Sequence, residues 1–272
     1  MLLNQFNSSG YIHQKKVICL KNAEAVKDYL IENFLVEHTE ALRTDPELCK
    51  LFPNDILIPK DIEKLKAIKA ERSTLDLLTL LGTISTTARL NSLILELCTS
   101  DGILEIVKEI FQDEVIYLHL APGSRIIHPN FTTALVPPHN DISYNQHISS
   151  DRDIPFITCW IPLQGIPSID GGLKLYPNSK SKEIGKRKDN FWLERWATEV
   201  DEKQAHCPNY TVGDAIFFDP FLMHGSKNPS PASSEFRVSL DCRFFSSSSK
   251  STKHYMRCSD QKVFEPEQGP AS

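Results

Sequence analysis

Apolar residues recur at helical spacing in three stretches of the first half of the chain. Val26, Tyr29, Leu30 and Phe34 fall on one stripe after Asn22, a short polar side chain suited to an N-cap. Residues 86–98 repeat the pattern with Leu90, Leu93, Ile94, Leu97 and Cys98. Ile103, Ile106, Val107, Ile110 and Phe111 do so again after Asp101. These stripes predict amphipathic helices that need a surface to cover. Between them, Asp45 to Pro59 carries three prolines and reads as a loop, and "KDIEKLKAIKAER" reads as a solvated helix rather than a charged binding surface.

From residue 114 onward the period changes to two. Short β-type runs alternate with Pro, Gly, Asn and Asp turns: "EVIYLHL", "TTALVPPHND", "PFITCWIPL", "GLKLYP", "DAIFFDP" and "FRVSLDCRFF". In the last run Phe236, Val238, Leu240 and Cys242 share one face, and Arg237, Ser239, Asp241 and Arg243 share the other. Strands at this spacing predict a sandwich or barrel, with a curled sheet whose apolar outer face the helices cover. A polar interior is expected, since His139, Asp141 and Arg237 face inward. The chain divides into a mainly helical part at 1–112, a strand-rich core at 113–248 and a C-terminal tail at 249–272 expected to be partly disordered. No internal repeat is visible, and its 272 residues fit a single domain.

Composition narrows the partners. The formal net charge is −5 and the sequence pI is near 6.0, so the electrostatic footprint of a nucleic-acid binder is missing. "MLLNQFNSSGYIHQKK" has too short an apolar start for a secretory signal or a spanning helix, which predicts a cytoplasmic protein without a membrane contact. Seven cysteines without a C-x-x-C pair argue against a disulfide framework, and Cys98, Cys159 and Cys242 read as small buried hydrophobes in a reducing compartment. His206 beside Cys207 is a zinc-like fragment without visible partners.

The candidate chemistry lies in the strand-rich part. His139, Asn140 and Asp141 read His-x-Asp, which on a strand puts the imidazole and the carboxylate on one face, and His224 in "DPFLMHGS" is a second imidazole to be brought in by another strand. Two histidines and one carboxylate leave half of a metal's coordination sphere open, which suits non-haem Fe(II) and oxygen chemistry better than closed structural zinc. Further on, Arg237 and Ser239 sit two apart on one strand face. A guanidinium fork with a neighbouring hydroxyl makes a carboxylate receptor and implies a dicarboxylate cosubstrate. Each feature also has a plain reading, a hydrogen-bonded His–Asp couple and the solvated face of an edge strand; their joint occurrence favours the metal.

In order along the chain, "PPHND", "TCWIPL", "DGGLKLYPNSK", "GDAIFFDPFLMHGSKNPS" and "FRVSL" resemble the phytanoyl-CoA dioxygenase family of Fe(II)- and 2-oxoglutarate-dependent oxygenases, from about Val115 to Phe245. The resemblance implies a mainly β fold with helical additions (α+β), in which a double-stranded β-helix (a cupin-like jelly-roll) is covered by the N-terminal helices. It implies Fe(II) held by His139, Asp141 and His224, with 2-oxoglutarate and dioxygen as cosubstrates. Arg237 is the implied partner of the distal 2-oxoglutarate carboxylate. Ser226 and Trp160 match positions that help to hold the cosubstrate, and Tyr117, on the face of Val115 and His119, is a further candidate for the carboxylate site. The chain departs from the family at Leu120 and Ala121, where members often carry a lysine. Relatives that halogenate lack the carboxylate ligand, so Asp141 points to hydroxylation or another oxidation of a small molecule.

Asn145 and His147 follow the ligand pair closely enough to touch a substrate. The segment from Ser179 to Asn209 reads as a solvated loop or as a lid, with Lys180, Lys182, Lys186, Arg187 and Lys188 facing an anion and Trp192 or Trp196 packing on it. No general acid or base is assigned, because the carboxylate of Asp141 is committed as a ligand. The second reading is a cupin-type metal protein or isomerase that does not use 2-oxoglutarate and does not require the Arg237 and Ser239 pair.

Overall fold

The computed structural model describes residues 2–44, 84–120, 122–127, 135–136, 138–180, 200–228, 230 and 237–266. Among the described residues, five helices come first: α1 (Leu2–Ser9), α2 (Leu20–Thr44), α3 (Thr86–Arg89), α4 (Ser92–Cys98) and α5 (Asp101–Phe111), with strand β1 (Tyr11–Gln14) between α1 and α2. The remaining strands are β2 (Ile116–His119), β3 (Gly123–Ile127), β4 (Ile148–Ser150), β5 (Ile157–Pro162), β6 (Gly172–Leu175), β7 (Ala215–Phe218), β8 (His224–Lys227), β9 (Arg237–Ser246), β10 (Ser249–Ser251), β11 (Tyr255–Arg257) and β12 (Val263–Phe264).

The large sheet runs β1-β7-β5-β9-β2-β11-β12, with β3 also paired to β9. All of its pairings are antiparallel. The long β9 organises it. One edge pairs with β5 from Pro162↔Ser239 to Ile157↔Phe244; the other pairs first with β3 (Ile127↔Arg237 to Gly123↔Asp241) and then with β2 (Leu118↔Phe244 to Ile116↔Ser246). A small sheet of β6 and β8 lies across from it, and β10 pairs with β4. This is a mainly β jelly-roll with helices added on one side.

Alternation decides which side each residue faces. Ile157, Cys159 and Ile161 of β5, Ala215 and Phe217 of β7, and Val238, Leu240, Cys242 and Phe244 of β9 join one buried cluster with the helices. The helices supply Phe6, Val26, Leu30, Phe34, Ile94, Leu97, Ile103, Val107 and Ile110. The intervening residues point between the sheets, where Trp160, Ile216 and Phe218 meet Leu173, Leu175, Tyr210 and Leu222. The interior is therefore mixed, with an apolar cluster alongside the polar groups, and not uniformly polar as the inward-facing ligands predicted.

Several local expectations are corrected. Asn22 lies inside α2, which begins at Leu20. The stripe at 86–98 is two helices, because the Asn91 side chain accepts from Leu93 N at 2.9 Å and caps a new start; Leu90 and Leu93 are left exposed. Within the mainly helical N-terminal part, β1 pairs with β7 and His13 Nε2 lies 2.9 Å from Asp214 Oδ2. Of the C-terminal tail, residues up to 266 are described, and β11 lies in the large sheet between β2 and β12. The predicted loop at 45–59, the charged helix after it, residues 132–134 and 137 of the "TTALVPPHND" run and the segment with Lys182, Lys186, Arg187, Lys188, Trp192 and Trp196 lie outside the described residues, as do 267–272.

Candidate metal centre

Two backbone hydrogen bonds bring the first pair of side chains together. His139 N donates to His224 O and His224 N to His139 O, both at 2.8 Å, an isolated antiparallel bridge at the start of β8. The two rings stand 4.2 Å apart, centre to centre. Just beyond, Ser226 N donates to Val136 O at 2.8 Å and Val136 N to the Ser226 hydroxyl at 3.2 Å.

Asp141 arrives by a different device from the predicted strand. It opens a 3-10 turn at Asp141–Ser143. Ile142 N donates to Pro220 O, and the backbone N and side-chain Nδ2 of Asn145 donate to Asp141 O at 3.1 and 3.0 Å. The turn swings the carboxylate under the imidazoles, with Oδ1 3.8 Å from His139 Nε2 and 3.7 Å from His224 Nε2.

These three ligand atoms all lie within 4.8 Å of one another, the one such group among the described residues. With metal–ligand bonds of about 2.1 Å, ligand atoms sharing one ion sit roughly 3 to 4 Å apart, so the donor set fits a single cation with small adjustment. All three residues are buried. His224 Nδ1 lies 3.0 Å from Leu222 O, which places its proton there and leaves Nε2 with a lone pair for a metal.

The far oxygen of Asp141 is spoken for. Thr158 Oγ1 donates to Oδ2 at 2.5 Å, and Arg243 Nη2 lies 3.2 Å from Oδ2 and 3.3 Å from Oδ1. Thr158 and Arg243 are direct partners on β5 and β9, so the sheet itself fixes this clamp. Burial pushes the Asp141 carboxyl up, but Arg243, His224, His139 and the Thr158 hydroxyl outweigh it and hold it well below the usual carboxylate range. Sequence reasoning put Arg243 on the correct face and gave it no task. Thr158, two before Trp160 and on the same face, went unnoticed.

Arg237 starts β9 and is buried. Burial lowers its guanidinium to about 10. Nη1 donates to Gly172 O at 3.0 Å, and Gly172 pairs with Lys227 on the strand that begins at His224, which keeps Arg237 on the metal side of the small sheet. Its Nε and the Ser239 hydroxyl are both buried without a hydrogen-bond partner. Buried polar atoms are rarely left so, and two of them side by side fit the oxygens of a bound carboxylate. Arg125, opposite Ser239 on β3, is a further cation on this face.

The other expected positions fall as follows. Trp160 lies on the inner face, its ring edge-on to Tyr210 at 4.8 Å. Ser226 Oγ accepts from Val136 N at 3.2 Å and so already serves the backbone. Tyr117 is corrected: it pairs with Phe245, eight positions along β9 from Arg237 and so about 25 Å away at strand rise. Its ring packs among Phe245, Tyr255 and Phe264. Asn145 braces the Asp141 turn. His147 stands beside His119, ring centres 4.6 Å apart. Lys180 pairs with buried Asp219 at 2.9 Å, and Trp192 lies outside the described residues. His206 bridges to Leu175 through the backbone and belongs to no metal-ligand group among the described residues.

The model of the family described as phytanoyl-CoA dioxygenase matches residues 31–234, about three-quarters of the chain. A search of curated proteins returns no match. Among solved structures, the apo form of the non-heme monooxygenase ThoJ aligns at 13% identity over 100% of this chain and 89% of that one, with a TM-score of 0.59. The epimerase SnoN, in complex with Fe3+, alpha-ketoglutarate and nogalamycin RO, aligns at 12% identity over 99% and 95% of the two chains, TM-score 0.55. EctD from S. alaskensis, with 2-oxoglutarate and 5-hydroxyectoine, aligns at 14% identity over 92% and 76%, TM-score 0.51. At these identities the likeness is one of fold. No helix among the described residues is long and apolar enough to cross a membrane.

Proposed function

Because the chain belongs to the phytanoyl-CoA dioxygenase family, we propose that it is an Fe(II)- and 2-oxoglutarate-dependent dioxygenase that hydroxylates an aliphatic C–H of a small molecule. The observation that carries this reading is the conjunction of the His139, Asp141 and His224 group with the unpartnered Arg237 Nε and Ser239 Oγ in the same interior. The donor set suits Fe(II), and the Arg237 and Ser239 pair suits the distal carboxylate of 2-oxoglutarate. A cupin-type isomerase has no use for that second pair. The core shared by helices and strands supports reading the chain as one catalytic unit.

Bound iron with 2-oxoglutarate and dioxygen supplies the oxidation, releasing succinate and CO2; the protein supplies position and dryness. His139 and His224 present their rings from one backbone bridge, and Asp141 would join them as the third ligand, its carboxylate steadied by Thr158 and Arg243. Arg237 and Ser239 would anchor the cosubstrate's far carboxylate. Phe218, 4.5 Å from the His224 ring, and Trp160 line the chamber with apolar surface. Asp141 would act as a ligand and not as a proton acceptor. SnoN, an epimerase, is a reminder that one fold hosts more than one oxidative outcome.

The test is succinate release from 2-oxoglutarate by the Fe(II)-loaded chain under oxygen, across a panel of small molecules. Substrate-stimulated succinate with oxygen appearing in the product is expected, and Asp141→Ala is expected to remove it. Absence of 2-oxoglutarate binding by the iron-loaded protein under argon overturns the proposal in favour of the cupin-type reading.

A further inference from the structure

Apart from Arg237 Nε and Ser239 Oγ, two more buried nitrogen atoms have no hydrogen-bond partner near the centre, Arg243 Nε and His147 Nε2. Neither is served by the cosubstrate seat, since Arg243 stands six positions along β9 from Arg237. Leaving a buried guanidinium N–H without an acceptor is costly, and His147 Nε2 carries a proton in one of its two tautomers, so the pair calls for a ligand or an ordered water. They belong to one neighbourhood. His119 follows Leu118, which pairs with Phe244, so it stands level with Arg243 on the inner face; its ring lies 4.6 Å from that of His147.

Charge in this neighbourhood is one-sided. Arg243 and Lys253 both act on His147, and together with Arg89 they act on His119. The facing acids are already engaged. Asp141 is held by Thr158 and shared with the metal position, and Asp241 Oδ2 lies 3.9 Å from Arg125 Nε. A divalent metal on Asp141 leaves the Arg243 charge still less compensated.

We propose that Arg243 and His147, with His119 beside them, form the seat for a carboxylate carried by the primary substrate, so that the protein oxidises a small carboxylic acid. The proposal rests on the oxygenase reading above for its chemistry, though the seat itself is independent of 2-oxoglutarate. A planar carboxylate has two oxygens to span the Arg243 Nε–H and an imidazole N–H. Both imidazoles are held neutral, chiefly by burial, and offer single donors rather than the charge that a phosphate dianion demands. Position then selects the carbon. Nε and Nη2 belong to one guanidinium, and Nη2 touches Asp141, so an acid seated on Nε presents its nearest C–H groups to the metal.

Hexanoate, hexanamide and hexyl phosphate, titrated by NMR into the full chain both metal-free and loaded with Fe(II) and 2-oxoglutarate under argon, test the seat. Hexanoate is expected to bind at least tenfold more tightly than the other two. His147→Phe, which keeps a ring and removes the N–H, is expected to lose that advantage while 2-oxoglutarate still binds, and His147→Gln to recover part of it. Equal binding of hexanoate and hexanamide, tighter binding of hexyl phosphate, or unchanged hexanoate binding in folded His147→Phe overturns the seat. Loss of 2-oxoglutarate binding by the wild-type iron complex overturns the oxygenase reading instead, and the metal-free titration still judges the seat.

Discussion

The guanidinium of Arg243 and the carboxylate of Asp141 lie side by side inside the jelly-roll, with Nη2 3.3 Å from Oδ1 and 3.2 Å from Oδ2. Burial alone would push the Asp141 carboxyl to take up a proton. Arg243 opposes this before any metal arrives. Arg243→Leu is therefore expected to destabilise the metal-free protein by about 3–5 kcal/mol and the metal-loaded protein by less, because the cation replaces the lost charge. Thermal unfolding with and without Mn(II) checks this; equal losses in both states would show that the pair does not compensate the carboxylate.

Thr158 contributes a hydrogen bond and no charge. Thr158→Val keeps the shape and leaves Oδ2 to Arg243 alone, so metal affinity should fall roughly 10- to 100-fold, as when a ligand loses an outer partner. Anaerobic calorimetry with Fe(II) or Mn(II) measures it.

Removing the Arg237 fork should separate cosubstrate from metal. Arg237→Ala is expected to weaken 2-oxoglutarate binding at least about 100-fold, in line with the loss of a charge-assisted bidentate pair, while metal affinity stays within about twofold. Arg237→Lys recovers little, since an ammonium lacks the fork. Titration of the iron-loaded protein under argon reads both quantities.

The neighbouring histidines predict an acid sensitivity. Burial, then the cations around them, lower His119 to about 3 and His147 to about 4. An unfolded histidine titrates near 6.5, so between about 6.5 and 4 the unfolded chain binds protons that the folded one refuses. Stability of the metal-free protein should therefore fall as pH drops through this window. His147→Gln should flatten the slope. Denaturant unfolding at a series of pH values tests it, and a flat profile in the wild type would contradict the burial of these rings.

Gly172 holds Arg237 through its carbonyl and has φ of +111°, where a Cβ would come within 2.8 Å of Tyr210 Cε2. Gly172→Ala is expected to cost about 1–3 kcal/mol. At roughly 2–4 °C per kcal/mol, the melting temperature drops by several degrees and 2-oxoglutarate binding weakens with it.

Much of this was legible in short stretches. Alternation in "FRVSLDCRFF" correctly separated Val238, Leu240 and Cys242, which pack under the helices, from Arg237, Ser239, Asp241 and Arg243, which face inward. The stripe of α5 likewise gave its buried face, since Ile103, Ile106, Val107, Ile110 and Phe111 are all buried. Where a local signal competed, the reading slipped: Asn91 restarted a helix inside a continuous apolar stripe, and a 3-10 turn carried Asp141 where His-x-Asp suggested a strand.

By itself the sequence determined the ligand chemistry on offer and the faces of the helices and strands, because side-chain type is local and periods of 3.6 and 2 show within a dozen residues. Which residues meet was decided only by the tertiary structure. Strand register over long separations places Arg243 opposite Thr158, pairs β1 with β7, adds β11 to the large sheet and takes Tyr117 away from Arg237. The physical reason is that such pairing is selected by the packing of the whole core and by backbone hydrogen bonds such as those joining His139 to His224, which leave no trace in the residues between them.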